Sequence, residues 1–111
     1  MDFEYINRKG KNIKLDVTLH AANNFICRWN KLHPDTLIKY ENVSKKLAEL
    51  FARASKIKNL SGEEKRRLKR YASDTMFFRE SEFTFIVQNK TIVTVEISQR
   101  DMRYLNKRHP R

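Results

Sequence analysis

The sequence predicts an α+β domain, with an N-terminal hairpin and helices packed on one side of a C-terminal antiparallel β-sheet. Three observations lead there. Residues 3–17 alternate apolar and polar side chains around Gly10. Residues 18–58 hold two stretches with apolar residues at three- and four-residue spacing, as helices require. From residue 75 the period changes, and β-branched and aromatic residues dominate. The chain of 111 residues is read as a single domain, 1–111, with one modest core.

Each element follows from its own residues. In FEYINRKGKNIKLDV, Phe3, Tyr5, Ile13, Leu15 and Val17 are the alternating apolar positions of a hairpin that turns near Lys9-Gly10. Thr18 is placed as the N-cap of a first helix, whose apolar stripe is Leu19, Ala22, Phe25, Ile26 and Trp29. Pro34 ends it, because proline disfavours helical geometry in the residue before it. A second helix is expected from Asp35 to about Lys58, on the stripe Tyr40, Val43, Leu47, Leu50, Phe51, Ala54 and Ile57. Ser61-Gly62-Glu63-Glu64 has the form of a capping box and opens a short third helix through about Ser73. Its acids come first and its bases later, as the helix dipole prefers.

Three strands close the chain: residues 75–80, 82–87 and 91–97. With Asn89-Lys90 as a two-residue turn, the last two form an antiparallel hairpin. That register puts Phe83, Phe85, Val87, Ile92, Thr94 and Glu96 on one face, and Ile86, Val93 and Val95 on the other. Residues 98–111 read as a final helical turn or a basic tail.

Charge narrows the function classes. Lys and Arg total 24 against 13 Asp and Glu, a net charge of +11. The excess is spread, with +6 over residues 1–60 and +5 over 61–111. Such a chain favours a polyanionic partner: nucleic acid first, then an acidic protein, then an anionic membrane surface. No apolar run reaches the length of a membrane span, and the N-terminus has no secretory pattern. A cytoplasmic location is expected. The single cysteine, Cys27, excludes an intrachain disulfide and reads as a partly buried, inert thiol. His20, Cys27 and His33 have no zinc-ligand spacing, and two distant glycines cannot build a phosphate loop. No metal and no cofactor are expected.

What remains suits metal-free cleavage of RNA. A base takes the proton of a ribose 2′-hydroxyl, a cation stabilises the phosphoryl oxygens, and an acid protonates the departing 5′-oxygen. RNA supplies its own nucleophile, so a small basic protein suffices. His20 is the candidate base or acid, because imidazole titrates near neutrality. Arg28 is the candidate phosphate clamp. It lies about 12 Å along the helix axis from His20 and roughly 80° around it. Thr94 is a candidate orienting hydroxyl, with Glu96 as an auxiliary group two residues on. Arg66, Arg67, Lys69, Arg70 and Tyr71 form a basic cluster able to grip phosphates and stack on a base. Each residue also has a purely structural reading. His20 and Arg28 serve as polar positions on a helix, Thr94 as a good strand former, Glu96 as a solvated strand end, and the cluster as a solvated helix face.

Leu19-His20-Ala21 followed by Arg28, a helical middle and the closing FTFIVQNKTIVTVEI resemble the barnase–EndoU–colicin–RelE superfamily of small ribonuclease toxins. The similarity is greatest to RelE-like members with an "HA…R" helix and a "TV" strand, including toxin domains of contact-dependent inhibition systems. It covers residues 13–34 and 75–97. The resemblance places the catalytic His, Arg and Thr on His20, Arg28 and Thr94. It implies metal-independent cleavage of RNA, often tRNA, under control of an antitoxin or immunity protein. The chain departs from several relatives in having Glu96 where they have Tyr. Two other readings stand beside the nuclease: a non-catalytic nucleic-acid-binding protein, and a basic interaction or inhibitor module that docks on an acidic partner.

Overall fold

The computed structural model describes residues 1–57, 62, 74–80 and 82–97. The expected third helix and the segment 98–111 lie outside the described residues, as do Arg66, Arg67, Lys69, Arg70 and Tyr71. Strands β1 (Asp2–Ile6) and β2 (Asn12–Val17) form the N-terminal hairpin. Helix α1 (Leu19–Leu32) follows, then a short 3₁₀ turn (Tyr40–Asn42) and helix α2 (Val43–Arg53). The remaining strands are β3 (Ser55–Lys56), β4 (Met76–Glu80), β5 (Phe83–Gln88) and β6 (Thr91–Ile97). All six strands belong to one sheet, in the order β1-β2-β6-β5-β4-β3. The α+β class therefore holds.

The sheet is mixed rather than antiparallel. β2 runs parallel to β6, paired only through Asp16–Thr91 and Val17–Ile92, so the N-terminal hairpin is part of the sheet itself. A parallel neighbour needs a long crossover, and here both helices and β3 to β5 supply it. Apolar residues of both helices meet one face of the sheet. α1 buries Ala21, Ala22, Phe25 and Trp29, and α2 buries Val43, Leu47, Leu50 and Phe51. Phe25 sits against Phe83 and Phe85, with ring centroids 5.3 and 6.2 Å away. Phe51 closes the other half of the core on Phe85 at 4.8 Å and Phe78 at 5.5 Å. Such tilted ring pairs add to the area term that dominates core stability.

The start of α1 is as expected. Thr18 Oγ1 accepts a 3.0 Å hydrogen bond from the Ala21 amide. The helix ends at Leu32, one residue before His33-Pro34. Leu19 and Cys27 differ from expectation, since both are exposed. The buried stripe is set by Ala21, Ala22, Phe25 and Trp29, and neither residue lies on it.

The second helix is much shorter than its periodicity suggests. Side chains of α1 hold the segment after Pro34 outside helical geometry. The Asn30 carboxamide bonds both backbone groups of Ile38, at 2.8 and 3.2 Å. Trp29 Nε1 donates to the Thr36 carbonyl at 2.8 Å. At the other end Ala54 is extended, and Ser55 and Lys56 pair with β4. Tyr40, expected on the buried stripe, is exposed.

Asn89 and Lys90 form the expected two-residue turn, with φ of 49° and 59° and Gln88 paired to Thr91. The face assignment of β6 is corrected. Ile86 pairs with Thr94 but Val87 pairs with Ile92, leaving Val93 as an extra residue in a bulge. A bulge reverses the alternation beyond it. Val95 and Ile97 therefore join Phe85 and Phe83 in the helix-covered core, while Thr94 and Glu96 share a face with Ile86 and Thr84.

Candidate active site

The site is built where β2 leaves β6. Past Ile92 the edge of β6 has no strand partner among the described residues, and α1 takes over that edge. The Thr18 amide bonds the Ile92 carbonyl at 3.1 Å, and Thr18 Oγ1 donates to the Val93 carbonyl at 3.4 Å. Thus the residue that caps α1 also ties its first turn to the bulge beside Thr94. One hydroxyl performs both tasks, because it accepts from Ala21 and donates to Val93.

Three side chains of α1 then line up along β6. His20, Asn24 and Arg28 are four residues apart in succession, so they form one ridge of the helix. His20 is exposed, and its Nε2 lies 3.0 Å from Asn24 Nδ2. The same Nδ2 donates to Thr94 Oγ1 at 3.4 Å. One turn further, Arg28 Nε donates to the Val95 carbonyl at 2.9 Å. The structure thus brings His20, Arg28 and Thr94 to one ridge-and-strand junction. Asn24 sits between His20 and Arg28 on that ridge and links the imidazole to the strand hydroxyl of Thr94.

Chemically, Asn24 bridges an imidazole and a hydroxyl. A hydrogen bond from the Asn24 amide to Nε2 requires the tautomer that carries its proton on Nδ1. Arg28 uses one of its five N–H donors on the strand, which fixes the guanidinium while four donors remain outside that bond. Glu96 is half-buried and lies two residues beyond Thr94, on the same strand face. Asn24 was not singled out from sequence. Its one available signal is position, halfway between His20 and Arg28 on a common ridge.

His33 lies elsewhere. Its Nε2 is 2.9 Å from Glu82 Oε1 and its ring is 4.1 Å from that of Trp29, which ties the end of α1 to the start of β5. Among the described residues no group of three or more His, Cys, Asp and Glu side chains is placed to hold a metal ion. Nor is any described helix long and apolar enough to cross a membrane.

The chain matches no family model, no curated protein and no solved structure.

Proposed function

We propose that the chain is a toxin-like, metal-independent endoribonuclease that cleaves RNA by 2′-hydroxyl attack and leaves a 2′,3′-cyclic phosphate. The observation that carries this reading is the hydrogen-bonded series His20–Asn24–Thr94, with Arg28 anchored one turn along. His20 Nε2 takes the 2′-proton once the substrate hydroxyl displaces the Asn24 amide from its single lone pair, Thr94 Oγ1 orients a phosphate oxygen, and the outer donors of Arg28 stabilise charge on the phosphorane. Glu96, where several members of the resembled superfamily have Tyr, is the second candidate for proton transfer. Arg66, Arg67, Lys69, Arg70 and Tyr71 are assigned to the substrate on charge and sequence alone. Such a toxin calls for an acidic antitoxin or immunity protein as partner, and for the cytoplasm as its place of action.

A non-catalytic RNA-binding module is the second reading. It is favoured by the committed state of the site: Asn24 donates to the His20 nitrogen and Arg28 is bonded to a carbonyl. The test is incubation with total RNA in EDTA. Cleavage ends bearing 2′,3′-cyclic phosphate, lost in His20→Ala at unchanged RNA affinity, support the nuclease. Binding without cleavage by the wild-type chain supports the module. Absence of any salt-sensitive affinity for nucleic acid leaves a basic interaction module for an acidic protein.

A further inference from the structure

The sheet is split at the end remote from Thr94. β2 and β6 share only two residue pairs, and the β5–β6 hairpin stops at Asn89-Lys90. Beyond that turn the β1–β2 hairpin faces β3 and β4 across an open groove of about 1140 Å³. Its apolar lining includes the rings of Tyr5, Phe51 and Phe78. Arg8, Lys9, Lys11, Lys14, Lys56 and Lys90 also line it, against Asp16 as the one acid among the described residues of the lining. Arg8 Nη2 donates to the Arg53 carbonyl at 2.9 Å, which links the hairpin turn to the end of α2.

Lys90 adds an independent observation. Its φ of 59° lies in the left-handed region that glycine occupies without cost, yet the turn places a lysine there. The residue that departs from turn preference is one that brings positive charge to the groove. Strain of this kind concentrates where function requires a side chain.

We propose that this groove is a binding track for single-stranded RNA, carrying the strand that flanks the bond cut at the His20–Thr94 site. The proposal rests on the ribonuclease reading for the second half of that statement only. Cations on both walls suit a phosphate backbone, and Tyr5 and Phe78, half-buried and packed on Phe51, supply aromatic surface to the lining on which unpaired bases can rest. A duplex keeps its bases stacked and cannot use such a floor. Aromatic rings between six cations favour RNA over an acidic peptide, which carries no flat bases to stack on them. Lys90 lies in the turn that opens β6, four residues before Thr94, so the groove and the site belong to one hairpin.

The probe is a labelled single-stranded RNA of about 12 nucleotides, a length comparable with the site sizes of single-strand-binding proteins. Its binding in EDTA is followed by anisotropy on the His20→Ala chain, with and without Lys11→Ala, Lys56→Ala and Lys90→Ala together. The expected result is at least a tenfold weaker Kd, on the order of what three lost phosphate contacts produce, and a salt slope shallower by about 2. Replacing the same lysines by arginine should restore affinity. Thermal melting checks the fold, and Lys9→Ala with Lys14→Ala serves if the triple variant is unfolded. Unchanged affinity and slope overturn the proposal. So does equal binding of a duplex of the same length. Polyglutamate that binds as tightly, with the same loss in the variant, assigns the groove to an acidic protein. If the wild-type chain binds through the groove and never cuts, the ribonuclease reading fails and the track stands. If it cuts while the triple variant binds normally, the reverse holds.

Discussion

Replacing Asn24 by alanine separates the positioning of the site from the stability of the fold. The substitution removes two hydrogen bonds, at 3.0 Å to His20 and 3.4 Å to Thr94, and no part of the buried apolar stripe. His20 is exposed and Thr94 half-buried, so water can replace the lost partner at the first and partly at the second. A solvated hydrogen bond contributes about 1 kcal/mol net, so the total loss of stability should be about 1–2 kcal/mol. Tm should then fall by roughly 3–10 °C, with the chain still folded at room temperature. Cleavage should fall much further, by about a hundredfold, because imidazole and hydroxyl are no longer held in mutual register. The assay is cleavage of labelled RNA in EDTA across pH 5 to 9, beside a thermal melt. Asn24→Asp supplies the discriminating readout. A carboxylate next to the ring favours its protonated form, so the acid limb of the pH–rate profile should move to higher pH. Full cleavage by Asn24→Ala, or a profile for Asn24→Asp that coincides with wild type, would refute the positioning role.

Other consequences follow from the core and the turn. Phe25 is fully buried against Trp29, Phe83 and Phe85, so Phe25→Ala should cost about 3–5 kcal/mol, read as a lower urea midpoint. Thr18→Ala removes both the cap on Ala21 and the tie to Val93 and should cost about 1–2 kcal/mol by the same measurement. Burial raises the pKa of Tyr5 above the usual value for tyrosine. The folded chain therefore holds this proton more tightly than the unfolded one, and the associated stability is present below pH 10 and lost as pH rises from 10 through the folded value. Tyr5→Phe should lose less stability than wild type over that alkaline range in urea titrations. Lys90→Gly should relieve the positive φ and stabilise the hairpin by about 1 kcal/mol while weakening RNA binding, a pairing of opposite effects that turn chemistry alone does not produce.

Much of the local structure is legible because it is encoded by neighbours in the chain. The alternation of Phe3, Tyr5, Ile13, Leu15 and Val17 specifies a hairpin whatever lies beyond it. Thr18 and Pro34 bracket α1 by local backbone chemistry. Asn89-Lys90 connects its two strands over two residues, and the strands themselves follow from their β-branched and aromatic content. Of the candidate site, His20, Arg28 and Thr94 are legible as chemistry at motif positions. The length of α2 is not, because Tyr40 continues the period of a helix that Asn30 and Trp29 prevent from forming.

What the amino-acid pattern determined by itself is the N-terminal hairpin, the first helix with its cap, the closing strands with their turn, the α+β class and a strong positive charge. The tertiary structure decided the rest: the parallel pairing of β2 with β6, the bulge at Val93, the faces of Thr94 and Glu96, and the place of Asn24 between ring and hydroxyl. The physical reason is range. A period or a cap is a relation among residues a few positions apart, whereas Asn24 and Thr94 are 70 positions apart and meet only once the sheet has closed against α1.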